Sequence, residues 1–163
     1  MFPQRPEPTE NGSRLNCVRE QSELAGGETI LLVEDEKFVR EVTEQVLKSA
    51  GYKVLTAKNA AEAQVQYSRQ CGELDLLLTD LLLPGETGRA LARKLRLRQP
   101  ELKVLFVTGY AEQLRPIEPE GTECLAKPFS SEVLLRKIND LLNSGNDTEE
   151  DLAVRHACGT ALL

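Results

Sequence analysis

Between about residues 29 and 143, short apolar runs alternate with segments in which apolar residues recur every three or four positions. Residues 30–33 form a continuous apolar run, which is typical of a central parallel strand that is buried on both faces. Residues 37–50 instead show helical spacing, and Gly51 stands where a helix would end. This change of period predicts a strand followed by a helix.

The same alternation continues along the chain. It predicts further strands at residues 53–57, 74–80, 103–107 and 122–126, and further helices at residues 59–70, 87–98 and 130–142. Five β/α repeats over about 115 residues call for a parallel sheet with right-handed crossovers and helices on both faces, which is a doubly wound α/β fold. Pro116 and Pro119 lie between the fourth and fifth strands, so we expect the fourth helix of the pattern to be short, broken or mostly loop.

The chain of 163 residues is therefore divided into one predicted domain, residues 29–143, and two extensions. Residues 1–28 are rich in Pro, Glu, Gly and Ser and are predicted to be a flexible lead, and residues 144–163 are predicted to be a flexible acidic tail. The net charge of -6 divides into -2 for the lead, -3 for the tail and -1 for the domain. This distribution gives no electrostatic reason to bind nucleic acid.

Several classes of function are disfavoured by the composition. The chain has no run of about 18 apolar residues and no secretory signal, so we expect no membrane insertion and a cytoplasmic location. The four cysteines are widely spaced and form no CxxC pair, which supports neither a disulfide framework nor a zinc site. The only histidine, His156, lies in the tail, and we interpret it as a solvated side chain.

The candidate chemistry lies at the ends of the predicted strands. The residues are Glu34 and Asp35 after the first strand, Asp80 at the end of the third, Thr108 after the fourth and Lys127 after the fifth. Because the carboxyl ends of parallel strands line the ligand crevice of α/β sheets, we expect these side chains to lie close together. Three neighbouring carboxylates repel unless a cation lies among them, and Mg²⁺ suits oxygen ligands. A carboxylate beside a metal, an ammonium and a hydroxyl is what acyl-phosphate formation requires.

Each of these residues also has an ordinary interpretation when it is taken alone. Glu34 and Asp35 fit the acidic first turn of a helix. Asp80 fits a turn residue, and Lys127 fits a surface turn before proline. Their occurrence together, in order, on one predicted fold favours the functional interpretation.

The motifs around these residues resemble the receiver domain of two-component response regulators. The matching stretches are ILLVEDE at 30–36, LLTDLLLPGETG at 77–88, VTGY at 107–110 and KPF at 127–129. The resemblance covers about residues 29–143, and the start GETILLVED is similar to receivers at the C-termini of hybrid histidine kinases. It implies a five-stranded, flavodoxin-like parallel sheet of strand order 2-1-3-4-5.

By this resemblance, Asp80 is expected to accept a phosphoryl group from a histidine kinase or a histidine phosphotransfer protein. Mg²⁺ is the implied cofactor, and its implied ligands are the carboxylates of Glu34, Asp35 and Asp80 and the backbone carbonyl of Leu82. Thr108 is expected to move toward the phosphoryl oxygens, and Lys127 is expected to pair with them. The added charge would then bias a two-state surface.

Two departures from the family pattern concern the readout of the signal. The position three residues before Lys127, commonly an aromatic partner of the threonine in this family, is Cys124 here. Tyr110, two residues after Thr108, is the candidate substitute. The proline-interrupted fourth helix belongs to the usual dimerising or output-binding face. The site therefore predicts phosphorylation, and we expect its readout to be unusual.

The predicted function is that of a phosphorelay response regulator, not of an enzyme acting on an external substrate. Nothing after Leu142 resembles an output domain, so an unidentified partner protein, a weak homodimer or return of the phosphoryl group is expected to read the signal. The start of the first helix is expected to face the kinase; either one of Phe38 and Val39 is exposed there or both are partly buried. We interpret the basic residues of the third helix as a solvated face, with an acidic-partner patch as the alternative: Arg89, Arg93, Lys94, Arg96 and Arg98.

Two other classes of function remain open. A pseudo-receiver would keep the fold as a protein-binding module without phosphorylation. A Mg²⁺-dependent phosphatase of similar topology would use Asp80 as its nucleophile, but Leu82 provides no acid two residues later to protonate a leaving group. Turnover of an external phosphate ester would favour the phosphatase.

Overall fold

The computed structural model describes residues 27–71, 73–110 and 121–144. Within these ranges the elements are β1 (Thr29–Val33), α1 (Lys37–Ser49), β2 (Lys53–Ala57), α2 (Ala60–Arg69), β3 (Leu76–Asp80), α3 (Gly88–Arg96), β4 (Lys103–Thr108), β5 (Thr122–Ala126) and α4 (Ser131–Asn143). Their boundaries agree with the predicted ones to within two residues. The short or broken helix predicted between β4 and β5 falls on residues 111–120, outside the described ranges.

The five strands form one parallel sheet of order β2-β1-β3-β4-β5. This order confirms the predicted doubly wound, flavodoxin-like fold. The connection from β1 leads outward to β2, whereas β3, on the other side of β1, leads away to β4. The carboxyl ends of β1 and β3 therefore flank the point where the winding reverses, which is where open α/β sheets bind ligands.

The sheet separates two hydrophobic clusters, because successive residues of a strand point to opposite faces. In β1, Leu31 and Val33 belong to the cluster that also contains residues of α2 and α3. Ile30 and Leu32 belong to the cluster that contains residues of α1 and α4. All four side chains are buried. The central strands thus lack a solvent face, which explains why their sequences are continuous apolar runs.

The helices begin in two different ways. Three of the four described helices have side-chain caps, in which Asn59 accepts from the N–H of Glu62 at 2.8 Å, Thr87 from Ala90 at 3.2 Å and Ser130 from Val133 at 3.3 Å. The N-cap of α1 is Glu36, whose side chain makes no capping hydrogen bond. At its other end α1 stops as predicted, because Gly51 adopts a φ of +94°. No helix in the described part of the chain is long and apolar enough to cross a membrane.

Arg96 joins three elements at the amino edge of the sheet. Its guanidinium donates to the carbonyl of Leu102 at 2.8 Å, to Thr122 Oγ1 at 2.7 Å and to the carbonyl of Gly121 at 3.0 Å. The interpretation of the basic residues of α3 as a solvated face is therefore wrong for Arg96. Its side chain connects the end of α3 to the starts of β4 and β5 by hydrogen bonds. Arg93, in contrast, is exposed, as a solvated face requires.

Candidate functional site

Three charged side chains meet at the carboxyl edge of the sheet. Lys127 Nζ lies 2.9 Å from Asp80 Oδ2 and 3.2 Å from Glu34 Oε2. Glu34 is only 6% exposed, and the side chain of Asp80 is 15% exposed. The structure thus brings together three of the residues that the sequence singled out, and the ammonium supplies a positive charge between two of the carboxylates.

The other oxygen of each carboxylate is held by its own loop. Asp80 Oδ1 accepts a hydrogen bond from the backbone N–H of Leu82 at 2.9 Å. Glu34 Oε1 accepts one from the N–H of Glu36 at 3.2 Å. Each carboxylate is therefore fixed by one backbone amide and by Lys127, which leaves both side chains oriented before any ligand arrives.

Burial and charge shift two pKa values in this cluster. Burial raises the pKa of Glu34 above its ordinary value, with a smaller contribution from Asp80, although Lys127 and the N–H of Glu36 act in the opposite direction. Burial lowers the pKa of Lys127, but the hydrogen bond to Asp80 and the charge of Glu34 outweigh it, so this pKa is raised. Lys127 is therefore positively charged at neutral pH, and ionisation of Glu34 is disfavoured by its surroundings.

Asp35 lies apart from the ammonium, with an exposed side chain. It lines an open cavity of about 660 Å³ together with Asn59, Gly85 and Glu86. In the described residues, no three His, Cys, Asp or Glu side chains are gathered as a ready metal site. Mg²⁺ is commonly held by only one or two carboxylates and keeps several waters, so the carboxylate oxygens of Asp35 and Asp80 fit its chemistry.

Thr108 ends β4 on the other side of Asp80. Its side chain is fully buried, and its hydroxyl oxygen accepts a hydrogen bond from the N–H of Tyr110 at 3.1 Å. The ring of Tyr110 is 62% exposed. Cys124 is partly buried and packs against the cluster beneath α2 and α3. In this conformation the threonine is thus linked to the backbone of Tyr110, and the Tyr110 ring faces solvent.

Gly88 is a residue of the site for which no separate role was predicted from the sequence. A Cβ atom at this position would overlap the backbone oxygen of Asp80. The N–H of Gly88 also donates to the carbonyl of Leu81 at 3.0 Å. The start of α3 therefore packs directly against the chain that carries Asp80, and the sequence signal for this contact was a Thr-Gly pair at a helix start.

Arg40 is a second residue that the sequence analysis missed. It lies in α1 and is partly buried, and its Nη1 donates to the carbonyl of Glu34 at 2.6 Å and to that of Asp35 at 3.3 Å. The available signal was an arginine shortly after the acidic pair. Its contacts are with backbone oxygens, which a charge pattern does not reveal.

The start of α1 also decides between two alternatives for Phe38 and Val39. Phe38 is 72% exposed, whereas Val39 is partly buried. Val39 lines a small cavity of about 20 Å³ that also borders Glu34, Asp80 and Lys127. Phe38 is therefore the residue that offers apolar surface beside the site.

The sheet order and the carboxylate–lysine cluster at its switch point define a doubly wound α/β protein with an acidic site. Residues 30–139 match the family model described as the response regulator receiver domain. The chain belongs to this family. It is similar to the response regulator receiver protein CpdR of Brucella abortus, with 35% identity over 116 residues that cover 69% of this chain and 95% of CpdR. It is also similar to the sensor kinase CckA of the same organism, with 36% identity over 128 residues that cover 77% of this chain and 14% of the kinase.

Solved structures show the same relationship. A response regulator receiver domain protein from Clostridium thermocellum has a TM-score of 0.67 at 27% identity, covering 74% of this chain and 98% of its own. The receiver domain of the hybrid histidine kinase CckA has a TM-score of 0.62 at 33% identity, covering 70% and 98%. TrrA from Thermotoga maritima, in complex with Mg(2+)-BeF, has a TM-score of 0.63 at 28% identity, covering 71% and 99%. These similarities confirm the resemblance found in the sequence.

Proposed function

We propose that this receiver domain acts in a phosphorelay and that Asp80 accepts the phosphoryl group from a histidine kinase or a histidine phosphotransfer protein. The observation that carries the proposal is the position of Asp80. Its carboxylate lies at the end of β3, held by the N–H of Leu82 at 2.9 Å and by Lys127 at 2.9 Å. Similarity to the receiver of a hybrid histidine kinase supports a relay partner of this class.

The proposed step is a direct transfer between two side chains. A carboxylate oxygen of Asp80 forms a bond to phosphorus, and the bond between phosphorus and the donor imidazole nitrogen breaks. The electron pair of that bond stays on the imidazole nitrogen, and the product on this chain is an acyl phosphate. Lys127 would stabilise the phosphoryl oxygens, because its ammonium already lies within hydrogen-bond distance of the attacking group.

Mg²⁺ is the proposed cofactor, and its proposed ligands are Glu34, Asp35, Asp80 and the backbone carbonyl of Leu82. When bound, the ion would neutralise charge on the transferring phosphoryl oxygens. The chain's own oxygen donors fit a hard cation, and the related TrrA structure was solved with Mg(2+)-BeF. Lys127 provides a positive charge between Glu34 and Asp80.

The donor protein is proposed to contact the start of α1. Phe38 is 72% exposed and Val42 is 45% exposed, and they lie four residues apart, on one face of the helix. The helix begins directly after the acidic pair, so a protein bound to this face would reach Asp80. Exposed apolar side chains beside a reactive group are typical of a protein contact.

We propose that Thr108 and Tyr110 transmit the effect of phosphorylation to partner proteins. If Thr108 moves toward a new phosphoryl group, its hydrogen bond with the N–H of Tyr110 is broken. The Tyr110 ring is 62% exposed and would change its position together with its backbone. Cys124 has no aromatic ring that could act as the partner of Thr108. We therefore propose that partner proteins recognise the phosphorylated state by contacts near Tyr110.

The test is the intact mass of the full chain after incubation with Mg²⁺ and a small phosphoramidate donor. The parent should gain one phosphoryl group, and Asp80→Asn should gain none. Asp140→Asn, an exposed acid of α4, serves as the matched control and should behave as the parent does. Absence of any gain in the parent, both with the small donor and with purified histidine kinases, would favour the pseudo-receiver.

A further inference from the structure

We propose that Arg40 is a positioning residue for the acidic pair and thereby strengthens the binding of Mg²⁺. The guanidinium would hold the backbone of Glu34 and Asp35 in the conformation that directs their side chains to the edge of the sheet. This inference rests on the proposed function, because it concerns the metal that the site is proposed to hold.

The contact is made to the chain and not to the carboxylates. Arg40 Nη1 lies 2.6 Å from the carbonyl oxygen of Glu34 and 3.3 Å from that of Asp35. A guanidinium nitrogen of this kind carries two N–H groups, so a single nitrogen can donate to both oxygens. Two consecutive carbonyls held by one rigid group fix the direction of the loop between β1 and α1.

Apart from Arg40, few contacts restrain the carbonyl side of the loop between β1 and α1. The N–H of Glu34 donates to the carbonyl of Ala57 in β2 at 3.1 Å, which fixes the amide before the acidic pair. The side chain of Glu36 makes no capping hydrogen bond, unlike the caps of the other three described helices. Arg40 therefore restrains the carbonyl groups of the acidic pair, whereas a side-chain cap would have restrained N–H groups.

The charge of Arg40 acts against its positioning role. A positive group near the acidic pair disfavours a divalent cation by electrostatic repulsion, so removal of the charge alone should strengthen the binding of Mg²⁺. Loss of positioning should weaken it, because the supports of metal ligands typically contribute about 10-fold or more to affinity. The sign of the change in affinity therefore separates the two roles.

The variants follow from this difference in sign. Arg40→Ala removes both the charge and the contact with the loop. Arg40→Lys keeps the charge but replaces the rigid, planar guanidinium with a flexible ammonium. Lys37→Ala is the matched control, because Lys37 lies in the first turn of the same helix, is 79% exposed and pairs with Glu41 at 3.7 Å. It removes one positive charge close to the acidic pair without a contact to the loop.

The experiment is calorimetric titration of the full chain with Mg²⁺ alone, without a phosphoryl donor. Arg40→Ala should weaken the affinity about 10-fold and Arg40→Lys should weaken it in the same direction, whereas Lys37→Ala should leave it unchanged or strengthen it. Equal or stronger binding by Arg40→Ala would overturn the positioning role. Absence of Mg²⁺ binding by the parent would instead overturn the metal assignment of the proposed function.

Amide hydrogen exchange of the metal-free chain provides a second measurement. The amide of Glu36 should exchange faster in Arg40→Ala than in the parent, because its acceptor is the side chain of Glu34 in the loop that Arg40 holds. The amides of β4 should be unchanged, which would show that the fold is intact. If Arg40→Ala does not fold, Arg40→Lys carries both measurements, and an unchanged Glu36 amide in a folded variant would contradict the proposal.

Discussion

The acidic flank of the site, formed by Glu34 and Asp35, is held by more elements than the threonine flank, formed by Thr108 and Tyr110. Glu34 is bound by β2 through its N–H, by α1 through Arg40 and by Lys127 after β5. The hydroxyl of Thr108 is bound by the N–H of Tyr110, only two residues away. The carbonyl of Thr108 also accepts from the N–H of Lys127 at 2.7 Å, so its backbone is tied to the segment after β5. The side chain of Glu34 is therefore held by a distant residue, whereas the side chain of Thr108 is restrained by a local contact.

This difference suits the two tasks of a receiver site. Electrostatic stabilisation of a transferred group works best with groups that are oriented in advance, and the acidic flank meets that condition. A switch needs an element with two arrangements separated by a small free energy, and a local hydrogen bond is such a restraint. Substitutions in and beside the two flanks test this contrast.

Lys127→Met should break the acidic flank. Methionine removes the ammonium that bridges Glu34 and Asp80, and we expect the rate of phosphorylation to fall by about 100-fold, as when one stabilising donor is removed from an active site. The time course of the intact mass with a small phosphoryl donor measures this rate. Lys137→Met, which removes an exposed pair with Glu123 at 2.9 Å, should retain the parental rate. An unchanged rate in Lys127→Met would show that the bridge is not needed.

Gly88→Ala and Gly109→Ala compare the packing beside Asp80 with the packing in the threonine flank. A Cβ at Gly88 would overlap the backbone oxygen of Asp80, so the chain must shift, and we expect the free energy of unfolding to fall by about 1–3 kcal/mol. A Cβ at Gly109 meets nothing within 4 Å, so we expect a change of about 0.5 kcal/mol or less. Denaturation in urea measures both. Equal changes in the free energy of unfolding for the two variants would contradict the predicted difference in packing.

Glu34→Gln tests the acidic flank through the pH dependence of the free energy of unfolding. Because the pKa of folded Glu34 is raised above 4.5, the unfolded chain releases this proton first as the pH rises, so this residue's contribution to stability falls between 4.5 and the folded pKa. Glutamine does not titrate, so its contribution to stability does not fall in this way. The free energy of unfolding of Glu34→Gln should therefore improve relative to that of the parent as the pH rises from 4.5 through the raised pKa of Glu34. A difference that does not depend on pH would contradict the raised pKa.

Thr108→Val should have a small effect on stability. Valine keeps the shape of the side chain but cannot accept from the N–H of Tyr110, and we expect the free energy of unfolding to change by about 1 kcal/mol or less. Phosphorylation of Asp80 should persist, and the amide resonance of Tyr110 should shift, as observed by nuclear magnetic resonance. A much larger loss of stability would place Thr108 among the strongly held residues.

The sequence predicted the residues that lie at strand ends and missed those that act across elements. Asp80 and Lys127 could be predicted to approach each other, because the apolar runs define the strands and parallel strands place their carboxyl ends at one edge. Arg40 and Arg96 could not, because their contacts are with backbone carbonyls whose positions depend on the packed fold. The role of Gly88 depends on the approach of α3 to β3, and the Thr-Gly pair in the sequence marks only the start of the helix.

The three carboxylates illustrate a finer limit. The sequence placed Glu34, Asp35 and Asp80 together around one cation, and the structure separates the first two. Glu34 is buried against Lys127, and Asp35 is exposed in the bend that leads from β1 to α1. The metal ligands therefore remain a prediction, whereas the contact of Lys127 with two of the carboxylates is observed.

The guanidinium of Arg96 also bears on the position of Lys127. It holds Gly121 and Thr122, so β5 is anchored at its start independently of the residues that connect it to β4. The pairing of Thr108 with Ala126 sets the register at the other end. Arg96 therefore helps, from the opposite edge of the sheet, to keep the end of β5 in the position from which Lys127 reaches Asp80.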